Sequence, residues 1–141
     1  MAYCTLDDIK PDQLTETELI QLTDDDDAGV VDESVVTKAI ADADAEIDGY
    51  CGQRYTVPFT TVPAMIRKLS VDIAVYNLFS RRQGAPEGRK TRYDAAIKFL
   101  ERVADGKAVV TGVEGTTESA ADRVSIESAT RVFSRSNMEG F

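Results

Sequence analysis

Histidine and tryptophan are absent from this 141-residue sequence, and only two cysteines and four prolines are present. Without histidine the chain lacks the side chain that most often moves protons near neutral pH and most often binds transition metals, which argues against most hydrolases and metalloenzymes. Ser80, Ser134 and Ser136 have no histidine to activate them, and Gly84 and Gly88 belong to no phosphate-cradling pattern, so no enzyme is expected. Cys4 and Cys51 match neither a CxxC pattern nor a zinc spacing; they read as small buried hydrophobes in a reducing compartment rather than as a disulfide framework. No run of about 18 apolar residues occurs, and Met1-Ala2-Tyr3-Cys4 leads straight into acidic sequence, so neither a membrane span nor an export signal is expected.

What is abundant is acid. The formal charge of −9 argues against generic nucleic-acid affinity, which comes from neutralising phosphates with Lys and Arg. Residues 1–52 hold 15 of the 25 acids and only Lys10 and Lys38 as bases, a net of −13, whereas residues 53–141 carry +4. Unlike halves can solvate themselves separately, or they can meet between neighbouring copies in the heterologous contact that closes rings.

The patterning is helical. Thr5 with Asp8, and Thr15 with Glu18, have capping-box spacing and predict two short helices, the first ending before Pro11 and the second running through Leu22. An acidic turn, Thr23 to Gly29, follows, with Asp32 placed to cap the next element. Val35, Val36, Ala39, Ile40, Ala43, Ile47 and Tyr50 recur at three- and four-residue steps, which predicts a long amphipathic helix over 33–53 with Asp42, Asp44, Glu46 and Asp48 mostly on its other faces. Residues 54–62 read as an extended connector because Pro58 cannot continue a helix. Pro63 opens a further helix to about Phe79, and a last one is expected over 89–105 with Gly106 as its stop.

The expected architecture is mainly α: a small bundle of three main amphipathic helices plus the short N-terminal ones, occupying residues 1–107. Residues 108–141 read as an extended C-terminal arm, in which the stretches 124–127 and 130–135 alternate well enough to pair as a β-strand with another sheet edge.

Three sets of residues are candidates for function. The acidic turn partly fits an EF-hand loop, with Asp24, Asp26 and Asp32 at positions one, three and nine. Ala28 and Val35 stand where two further ligands belong, so a solvated helix-capping turn is preferred and no cofactor is expected. Arg81, Arg82, Arg89, Lys90 and Arg92 form the one basic cluster, which could touch DNA phosphate or an acidic partner; with no aromatic interleaving the acidic partner is favoured. In the arm, Arg131, Phe133, Arg135, Met138 and Phe141 are candidates for docking on a neighbour.

Several segments together carry a resemblance: Tyr3-Cys4-Thr5-Leu6-Asp7-Asp8, then Glu18-Leu19-Ile20-Gln21-Leu22-Thr23-Asp24 before an Asp/Gly turn, and Ala41-Asp42-Ala43-Asp44-Ala45-Glu46-Ile47-Asp48-Gly49-Tyr50. Arg54-Tyr55-Thr56-Val57-Pro58, Val62-Pro63 and Arg92-Tyr93-Asp94-Ala95-Ala96 add to it. Over residues 3–107, and again at Phe133-Ser134-Arg135 and Gly140-Phe141, the chain resembles the Mu-like bacteriophage and prophage head-to-tail connector family. The resemblance implies a structural virion protein, made in the host cytoplasm and placed at the neck. It implies a dodecameric ring that attaches beneath the portal protein and meets a downstream neck or tail-completion protein, with DNA passing through. It brings no catalytic residues. Under that implication Asp42, Asp44, Glu46 and Asp48 would line the lumen, since an acidic wall offers DNA no counterions to release. Two other readings stay open: a soluble monomeric adaptor or regulatory module binding a charged partner, and a Ca²⁺-dependent binding domain.

Overall fold

The computed structural model describes residues 1–82 and 84–113. Among them are five helices and no strand: α1 (Leu6–Ile9), α2 (Glu16–Thr23), α3 (Glu33–Cys51), α4 (Ala64–Ser80) and α5 (Glu87–Ala104). The mainly α architecture read from the periodicity is the one observed. The arm stretches expected to pair as a strand lie outside the described residues.

Local chemistry fixes the helix starts. At α2 the Glu18 amide donates to Thr15 Oγ1 at 3.3 Å while the Thr15 amide donates to Glu18 Oε2 at 2.9 Å, so each otherwise orphaned backbone donor is satisfied by the other residue's side chain. Asp32 Oδ1 accepts from the Ser34 amide at 2.9 Å and starts α3. Pro63 and Pro86 precede α4 and α5, where a missing N–H costs nothing. The last helix begins two residues earlier than the sequence suggested, because Pro86 fixes the backbone at its cap and Gly88 is tolerated in the first turn. Gly106 ends it at φ +77°, with the Arg54 guanidinium packed so closely that a Cβ there would lie 2.6 Å from it.

Helices α3 and α4 form the principal pair, and α5 lies across both. Ile40, Ala43, Ile47 and Cys51 of α3 meet Ile66, Leu69, Ile73 and Leu78 of α4 and Leu100 and Val103 of α5, all buried. Each large aliphatic chain so buried contributes about 1.5–3 kcal/mol. Helix α4 also buries Val71, Ala74 and Val75, so its apolar surface exceeds one stripe. The cause is its central position: α3 and α5 pack on it, and α1 and α2 touch it as well.

The segments outside the three long helices complete the core rather than decorate it. Tyr3, Ile9, Leu14, Leu19 and Leu22 are buried from the N-terminal side, and Tyr55 and Phe59 from the connector. Tyr3 and Phe59 pack with ring centroids 5.6 Å apart, and Tyr55 and Phe59 at 6.1 Å. Val110 is buried too, its amide donating to Tyr55 Oη at 2.9 Å. The packed body therefore continues past residue 107, where the sequence placed its edge.

Candidate functional site

Of the four carboxylates grouped on α3, only Asp42 is exposed, accepting from Lys38 Nζ at 2.9 Å. Asp44 corrects the expectation of an outward face: it is 8% exposed and turned into the core. Position 44 lies four residues after Ile40 and three before Ile47, so it shares their side of the helix. Its Oδ2 accepts from the Tyr3 amide at 2.9 Å and its Oδ1 from Ser70 Oγ at 2.7 Å. Burial raises its pKa above the ordinary aspartate value, against the lowering effect of those two donors. Glu46 and Asp48 are half-buried. Tyr93 Oη donates to Glu46 Oε1 at 2.9 Å, and Tyr3 Oη donates to Asp48 while accepting from the Phe59 amide at 3.0 Å. Desolvation, then the Glu46 bond, pushes the Tyr93 hydroxyl up to about 12. The Tyr93 ring stacks on Tyr76, centroids 4.1 Å apart, which ties α3, α4 and α5 together.

These groups do structural chemistry. Tyr3, Asp44, Asp48, Ser70 and the Phe59 amide form one buried network that pins the N-terminus across α3, α4 and the connector. Both thiols are buried, and burial raises each to about 11, so neither is a thiolate at neutral pH.

The acidic turn is organised by its own backbone. Asp24 Oδ1 accepts from the Ala28 amide at 2.9 Å and Oδ2 from the Gly29 amide at 2.7 Å, with Asp27 and Gly29 at positive φ. Those two bonds hold the Asp24 carboxyl below its usual range. Asp32 is committed to Ser34, whose Oγ donates to it at 2.6 Å. Asp26, the third residue of the EF-hand alignment, is exposed at the tip. Among the described residues no three His, Cys, Asp or Glu side chains gather in a way that could hold a metal ion.

The basic cluster divides in two. Arg81 donates to the Leu22 carbonyl at 3.0 Å and to the Asp25 carboxylate, and Arg82 donates to the Asp24 carbonyl at 2.6 Å and lies 3.4 Å from Asp25. These two guanidiniums, expected to meet an acidic partner, are held here by the chain's own turn. Arg89 and Arg92 do not join them; both donate to Gln13 Oε1, at 2.9 and 2.8 Å, and Arg89 also donates to the Gln13 carbonyl. Lys90 is exposed. Arg131, Phe133, Arg135, Met138 and Phe141 lie outside the described residues. Sequence reasoning missed Tyr3, Gln13 and Ser70 as organising residues; only Asp44 carried a signal, its place in the apolar register of α3.

Comparison with known proteins matches residues 3–128 to the family described as "Bacteriophage Mu, Gp36". The chain belongs to that family. Gene product J of Escherichia phage Mu is 35% identical over 146 aligned residues, which cover 100% of this chain and 99% of the relative. The Mu-like prophage FluMu protein gp36 of Haemophilus influenzae is 35% identical over 117, covering 82% of this chain and 81% of its own length. The Gp36 family match begins at Tyr3, the residue that anchors the buried network, and runs through all five helices. Among the described residues of this Gp36-family chain, no helix is long and apolar enough to cross a membrane.

Proposed function

We propose that the protein is a structural virion subunit rather than an enzyme, a head-to-tail connector that forms a dodecameric ring between portal and downstream neck or tail-completion components. The observation that carries the reading is the end-to-end match to gene product J of phage Mu, which relates this chain to a phage protein of the same length rather than to one domain of a larger protein. The geometry agrees with a scaffold role. The carboxylates and tyrosines that a catalytic site would use are bonded to one another across helices, where they hold the body rigid. A chain whose 25 acids outnumber its 16 Lys and Arg also suits a channel wall past which DNA slides, because its net negative charge gives the phosphates little to exchange their counterions for. Asp44 takes no part in such a wall; Asp42 is the exposed member of the α3 set.

Light scattering tests the proposal. The full-length chain and a truncation after Val113 are each weighed alone and then mixed with a purified Mu-type portal ring. The connector reading expects the full-length chain to join the portal and the truncation, which keeps the packed body but loses the arm, to join it far less. A full-length chain that stays monomeric and ignores the portal would replace this reading with that of a monomeric adaptor.

A further inference from the structure

Around Gln13 the molecule leaves positive charge unneutralised. Two half-exposed or exposed guanidiniums, Arg89 and Arg92, converge on one neutral amide oxygen. Arg67 is exposed nearby on α4. Arg67, Arg92, Lys68 and Gln13 line one open concavity of about 540 Å³ between the α1–α2 loop, α4 and α5. Among the described residues, no carboxylate forms an ion pair with Arg67, Arg89 or Arg92. The two acids in the concavity are already engaged: Asp72 takes Lys68 Nζ at 2.9 Å, and Asp8 takes the Thr5 amide at 2.8 Å. Burial, and then the charge of Arg92, lower the pKa of Arg89, while the charges of Asp72 and Glu18 offset part of that, so the two guanidiniums repel each other and gain from an anion placed beside them.

The opposite arrangement stands elsewhere on the same chain. At the tip of the acidic turn Asp26 and Asp27 are adjacent and exposed, and neither has a cationic partner within the described residues. The turn is fastened to the far end of α4 through Arg81 and Arg82. From the Arg67–Lys68 end to Arg81 is roughly 20 Å along the helix at its usual rise per residue. The tip is thus held well away from the concavity of its own copy, and only another copy can bring the two together.

We infer that the concavity formed by Arg67, Lys68 and Arg92 receives the Asp26–Asp27 tip of a second copy of this chain, a head-to-tail contact. The argument is charge complementarity between two exposed sites at opposite ends of one helix: one where, among the described residues, Arg67 and Arg92 stand in no ion pair beside the Asp72-paired Lys68, and one where Asp26 and Asp27 stand in none. A contact of this kind is heterologous and closes into a ring when its rotation permits. It rests on the connector reading and supplies one subunit contact for the ring.

A charge exchange tests it in the full-length chain. One variant carries Arg67→Glu and Arg92→Glu; the other carries Asp26→Lys and Asp27→Asn, the asparagine chosen because position 27 has positive φ. All four positions are exposed, and circular dichroism verifies that both variants fold. Sedimentation velocity at low salt is run over a wide concentration range. The wild type is expected to self-associate, each variant to lose association by about tenfold or more, and an equimolar mixture to recover it, since each variant then presents the site the other needs. Added salt should weaken the wild-type contact. Two variants that associate as the wild type does would overturn the contact and leave the connector reading standing. A wild type that is monomeric at every concentration would also overturn it, and binding of that monomer to the portal would then decide the connector reading separately. A double-stranded oligonucleotide that binds the wild type and is lost from the Arg67→Glu/Arg92→Glu variant, with self-association intact in both, would assign the concavity to phosphate and overturn the inference as well.

Discussion

Two groups of carboxylates in this molecule do opposite kinds of work. In the middle of α3, Asp44 is nearly sealed from water and accepts two hydrogen bonds, from the Tyr3 amide and from the Ser70 hydroxyl, which also lies 3.2 Å from Cys4 Sγ. In the turn, the half-buried Asp24 organises the loop by accepting from the Ala28 and Gly29 amides, and the exposed Asp25 carboxylate pairs with Arg81 and Arg82. The first group raises its own ionisation cost to keep a core arrangement unique; the second ionises more easily than in water and secures little. Sequence alone shows only aspartates in an acidic half. Burial decides which of them matter to stability.

The largest test of that contrast is Asp44→Ala, which leaves the Tyr3 amide buried without its acceptor and the Ser70 hydroxyl with only the weakly accepting Cys4 sulfur. A loss of about 3 kcal/mol in urea unfolding is expected, by the cost of orphaning buried donors once bonded to a charged group. Tyr3→Phe comes next. It removes the hydroxyl that joins Asp48 to the Phe59 amide, and about 1–2 kcal/mol should go with it in the same measurement.

A pH series sharpens the comparison in sign. Asp44 has a folded pKa above its unfolded one, so the folded state holds the proton more tightly. As pH rises from the ordinary aspartate value of 3.8 through the raised one, this group's contribution to stability falls. Asp24 and Asp25 are lowered, so their contribution is present above 3.8 and is lost as pH drops through the folded values. Unfolding measured across this range should show wild type losing ground to Asp44→Asn as pH rises just above 3.8, and gaining on Asp25→Asn as pH rises through the interval below it. Equal slopes for the two variants would mean that the buried and exposed aspartates are alike after all.

Smaller still is the effect of Asp25→Asn at neutral pH: a slight drop in melting temperature at low salt that disappears at high salt, as for an exposed ion pair. The smallest expected effect is none. Millimolar calcium should leave the melting curve in place, because both oxygens of Asp24 already serve backbone amides and Asp32 serves Ser34. A shift approaching the 2.7 kcal/mol or so that a ligand gives at a hundred times its dissociation constant would restore the calcium reading.

The fold was largely legible because its signals are local. Apolar spacing in α3, capping pairs at Thr15 and Asp32, and the proline at position 63 each act within a turn or two of helix, and the helices form where those signals stand. The site was much less so. That Arg81 would meet Asp25, 56 residues away, while Arg89 and Arg92 would share a neutral glutamine, depends on how α2, α4 and α5 pack. The same holds for Val110, which lies beyond the last helical signal yet closes over Tyr55.

By itself the sequence determined a mainly α, histidine-free, acidic chain that resembles a Mu-like phage family. Those properties reside in composition and in contacts a few residues long. Only the tertiary structure decided which charges are paired within the described residues and which are not, because whether a charge finds a partner depends on distances through space between segments that sequence spacing does not encode.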